Sequence, residues 1–96
     1  MAKKITREEE AAIPAFKSRR EAASWFLDKY SADFVLQGSE DVGGENCHFY
    51  ALILDREAYD EGRKQLQRGG HVMGMDYIRA YQPIEIFENG EIHIVH

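Results

Sequence analysis

Apolar and polar positions along this 96-residue chain change period several times, and each change marks an element. The last thirteen residues, Ile84 to His96, carry two short alternating runs around an Asn-Gly pair, a strong local signal for a β-hairpin. A two-residue loop would set Glu88 against Glu91 and mix polar with apolar on both faces. A three-residue loop of Glu88, Asn89 and Gly90, closed by a G1 bulge at Gly90, pairs Ile86 with Ile92, Ile84 with Ile94 and Glu85 with His93. One face is then wholly aliphatic, so the bulged register is predicted.

Upstream, Ala22, Ala23, Phe26, Leu27 and Tyr30 recur at helical spacing behind Ser18-Arg-Arg-Glu21, which has the form of a capping box, and the spacing predicts a helix from about Arg19 to Tyr30. Residues 32–37 read as a strand, followed by a glycine-rich acidic loop over 38–45. Cys47 to Leu54 is the longest apolar run, apolar on both sides of the pleat, as expected of the middle strand of the sheet. Asp55 as N-cap and Gly69-Gly70 as stop bracket a second helix over Arg56–Arg68. Gly62 inside it costs about 1 kcal/mol relative to alanine, which close packing against a neighbour would offset.

Residues 71–82 are ambiguous. Alternation would place Tyr77, Arg79 and Tyr81 on one face of a strand, whereas helical spacing joins Tyr77, Ile78 and Tyr81. We read an extended third strand ending at Pro83. The fold expected is therefore α+β: an antiparallel sheet of four or five strands with two helices packed on one face, in the order α-β-β-α-β-β-β. Residues 1–12 show no apolar period and are expected to form a flexible charged arm ahead of a single domain over 13–96.

Length leaves room for one modest core, and 44% hydrophobic with 30% charged residues is an ordinary globular composition. No apolar run reaches the roughly 18 residues of a membrane span and no signal peptide is legible, so a cytoplasmic location is expected. The single cysteine, Cys47, agrees with a reducing compartment. A formal charge of −5 argues against a surface that attracts nucleic acid as a whole. The charge is also uneven, with Glu40, Asp41 and Glu45 in one loop and Glu85, Glu88 and Glu91 in the terminal hairpin, which implies an acidic sheet end.

Candidate chemistry is sparse. The four histidines do not have ligand spacing, since His93 and His96, three apart on a strand, point to opposite faces; no metal site, cofactor or catalytic set is expected. Gly69, Gly70 and Gly74 follow a helix rather than lead into one, the wrong polarity for a phosphate loop. Tyr77, Arg79 and Tyr81 form the cluster most like a protein interface, because Tyr and Arg dominate binding hot spots. Arg56, Arg63, Lys64 and Arg68 on the second helix are the alternative, a set of phosphate contacts, but Asp55, Glu57, Asp60 and Glu61 cancel their charge. The reading is a non-enzymatic interaction module, an acidic adaptor or inhibitor, that binds another protein. Because residues 47–54 need cover on both faces, it is also expected to form a homodimer; a nucleic-acid accessory role is the alternative.

Overall fold

The computed structural model describes residues 3–69 and 76–96. In chain order they form α1 (Arg7–Ala11), α2 (Arg19–Tyr30), a 3₁₀ turn (Ser31–Asp33), β1 (Phe34–Val42), β2 (Glu45–Ile53), α3 (Arg56–Gln67), α4 (Asp76–Arg79), β3 (Tyr81–Phe87) and β4 (Ile92–Ile94). The strands make one antiparallel sheet in the order β1-β2-β3-β4, so the class is α+β with a C-terminal hairpin.

Local chemistry accounts for most boundaries. Ser18 Oγ accepts from the Glu21 amide at the start of α2, and the Asp55 carboxylate accepts from the Ala58 amide at the start of α3. Gly69, at φ +76°, closes α3 as a C′ glycine. The hairpin has the bulged register: Ile84 pairs Ile94, Glu85 pairs His93, Ile86 pairs Ile92, and Gly90 sits at φ +91°. Phe16 lies against Gly90, where an added Cβ would meet the Phe16 carbonyl, so this turn also abuts the segment leading into α2.

Four expectations are corrected. Residues 38–45 are not a loop: β1 runs on to Val42, and a two-residue turn of Gly43 and Gly44, both at positive φ, joins it to β2. Gly43 and Gly44, expected in a glycine-rich loop, supply the left-handed backbone of a tight hairpin. The separate third strand does not form over residues 76–79, which make the helical turn α4; residues 70–75 lie outside the described residues. The next strand begins at Tyr81 and continues through Pro83 into the hairpin, giving four strands in all. The two helices divide between the faces of the sheet. Tyr50 and Leu52 pack with Ala22, Ala23 and Phe26 of α2, whereas Ala51 and Ile53, on the opposite side of the pleat, pack with Tyr59 of α3 and Ala80. Residues 50–53 are thus buried on both flanks by their own chain, and the reason for expecting a second copy is removed.

The arm, expected to be flexible, is docked on the domain. Ile5 is 1% exposed within the α2-side core, and Thr6 caps α1 in a reciprocal capping box with Glu9. Gln82, itself 1% exposed, holds Ile5: the Ile5 amide donates to Gln82 Oε1 at 2.7 Å, and Gln82 Nε2 donates to the carbonyls of Ile5 and Val95, each at 3.1 Å. Across the α2-side core, Phe26, Phe34 and Tyr50 stack successively at centroid distances of 5.0 and 4.6 Å.

Candidate functional site

Three places on the described residues carry chemistry. The first is the tyrosine cluster. Tyr77 and Tyr81 do meet, through the turn from α4 into β3 rather than along one strand, and Tyr59 of α3 completes the set with centroid separations of 5.3 to 5.8 Å. Gly62 makes room for it, since a Cβ there would fall within the Tyr77 ring. The β-bulge at Gln37 adds a polar lid: Gln37 Nε2 donates to the Tyr59 hydroxyl at 3.2 Å. Burial among these rings raises the Tyr81 pKa, with Tyr77 and Tyr59 adding to the shift while Arg63 and the Gln37 side chain oppose it.

Arg79 does not join this cluster. It is exposed at the end of α4 and lines the second place, a groove of about 430 Å³ at the Tyr81 end of the sheet. Leu54, Ile78, Tyr81, Pro83 and Val95 supply its apolar surface, and Lys4, Arg79 and His96 its basic groups, with Gln82 between. Ile78 is 61% exposed and Val95 40%, both large aliphatic side chains open to water. Among the described residues no acidic side chain lines the groove, although His96 Nε2 donates to Glu10 of α1 at its rim.

The third place is a polar chain at the opposite end. His48 Nδ1 and Ser39 Oγ, direct cross-strand neighbours, lie 2.6 Å apart, and His48 Nε2 contacts Glu88 Oε1. With Glu88 accepting from Nε2–H, Nδ1 is the acceptor for the Ser39 hydroxyl, which exchanges the two ring nitrogens relative to the usual serine-histidine-carboxylate relay. Arg19 donates from Nη1 to the Tyr50 hydroxyl, and its buried Nε faces Glu88 Oε1 at 3.7 Å, an ion pair too long for a hydrogen bond. Neither the groove beside Arg79 nor the depression beside Phe16 and Gly90 includes Ser39, His48 or Glu88. The polar chain ties the two hairpins to the start of α2. Reading residues 38–45 as a loop hid this set; the cross-strand pairing of Ser39 with His48 follows only once β1 is extended to Val42.

The alternative phosphate contacts are dispersed in role. Arg56 Nη2 donates to the Ala32 carbonyl at 2.8 Å and to Asp33 at 3.1 Å, clasping α3 to the 3₁₀ turn. Arg63 is half-buried beside Tyr81, and Lys64 and Arg68 are exposed. His71 lies outside the described residues, and His48, His93 and His96 each face a glutamate. Comparison of the chain with protein-family models, with curated proteins and with solved structures returns no match.

Proposed function

We propose that this domain is a non-catalytic protein-binding module, an adaptor or inhibitor acting in the cytoplasm, whose partner seats on the groove beside Arg79. The observation that carries the reading is the exposure of Ile78 next to Arg79 at a concave surface walled by Tyr81, Pro83 and Val95. Aliphatic, tyrosine and arginine side chains around a small depression are the composition of an interface centre. The tyrosine cluster behind the groove supports it, because a rigid wall lowers the entropy lost when a partner docks.

A photoreactive amino acid at position 78 tests this in extracts of the native cell. One protein is expected to cross-link from position 78, not from a control at Glu57, and Arg79→Ala should reduce the adduct several-fold. Equal labelling from both positions, or an adduct indifferent to Arg79, would count against the reading.

A further inference from the structure

We infer that the groove receives an acidic, aliphatic segment of the partner protein, with a carboxylate between Lys4 and Arg79 and an adjoining aliphatic side chain against Ile78 and Val95. This rests on the binding-module reading and adds the chemistry of the partner.

Charge makes the first argument. Lys4 and Arg79 take part in no ion pair among the described residues, whose pairs use Arg19, Arg56 and three histidines. They form a local basic spot on a chain of net charge −5. One cluster of acidic residues lies at the far end of the sheet, while Glu10 reaches the groove's rim only through its bond to His96. Glu40 pairs with Cys47, which pairs with Phe87, so the turns that carry Asp41, Glu45, Glu88 and Glu91 share one end of the sheet. The groove lies at the other, where Tyr81 pairs with Ile53. An anionic segment is therefore repelled from one end and attracted to the other.

The polar inventory makes the second. Gln82, the amide in the groove, already commits both its N–H groups and its oxygen to Ile5 and Val95. Recognition is left to charge and apolar contact, which suits a carboxylate flanked by aliphatic side chains better than a polar sugar-phosphate. A volume of about 430 Å³ accommodates a few side chains rather than a folded domain.

The test is an NMR titration of the full chain with two hexapeptides, one alternating glutamate with leucine and one alternating glutamine with leucine. The expected result is perturbation of amides in residues 78–82 and at Val95, with the glutamate peptide bound roughly tenfold more tightly. Arg79→Gln and Lys4→Gln should each weaken it roughly three- to tenfold while the remaining spectrum stays folded. Equal affinity for the two peptides would overturn the inference, yet a position-78 cross-link that depends on Arg79 would still leave the binding-module reading standing. Tighter binding of decanoate than of the glutamate peptide would make this a small-molecule site instead. Shifts at these amides that appear on raising protein concentration alone would place a second copy's acidic hairpin in the groove. No binding by the glutamate peptide also overturns the inference.

Discussion

Gly62 is the residue at which helix propensity and packing oppose each other most directly. Alanine there would favour the helix by about 1 kcal/mol, but its Cβ would meet Tyr77 at Cγ, an atom too near the backbone for the ring simply to swing away. Gly62→Ala is expected to lower stability by about 1–2 kcal/mol in chemical denaturation, and to raise it when Tyr77→Ala is already present. Cys47 gives a second residue-scale expectation. Burial raises its thiol pKa, and Glu85 and Glu40 push the same way. The folded chain keeps that proton after the unfolded chain has lost it, so stability is intact below the ordinary thiol value of 9.0 and is lost as pH rises through the folded value. Tyr30 and Tyr81, raised from 10.0 chiefly by burial, extend the loss upward. Denaturation midpoints should therefore fall from about pH 9, and Cys47→Ala should remove the earliest part of the fall.

Among the elements, those defined by local pattern were readable and those defined by distant partners were not. Ser18 and Asp55 announce α2 and α3 because a cap bonds within three residues. The hairpin register follows from the alternation of Ile84, Ile86, Ile92 and Ile94 around one turn. Ile5 carries no such signal: its burial depends on Gln82, seventy-seven positions away, and an isolated isoleucine among charges has no period. The site divides in the same way. Tyr77, Arg79 and Tyr81 were identifiable by residue type, but their separation into a ring cluster and a groove wall depends on α4 being helical. Lys4 enters only because the arm docks. Gln82→Leu should show how much that docking contributes. It strands the buried Ile5 amide, and a loss of about 1–3 kcal/mol together with faster proteolytic nicking of residues 3–12 is the expected outcome.

For the whole molecule, the division of α2 and α3 between the faces lets this chain cover residues 50–53 of the central strand on both flanks. Both cores are small, which is why contributions from a single arm residue or one glycine weigh heavily against a total of only about 5–15 kcal/mol. No helix among the described residues is long and apolar enough to cross a membrane.

Lys4 and Arg79 lie at one end of the strands and the acidic turns at the other, which separates a basic spot from an acidic one. The molecule's longest dimension, 38 Å, exceeds the roughly 8 Å over which physiological salt damps a field, so each spot acts on its own surroundings. A negatively charged body that comes within about that distance of the groove is drawn toward Lys4 and Arg79, whereas one beside the acidic turns is pushed away. Encounters that put the basic spot first are thereby favoured over those that meet the acidic turns, and the arm that contributes Lys4 biases the approach as well as closing the core.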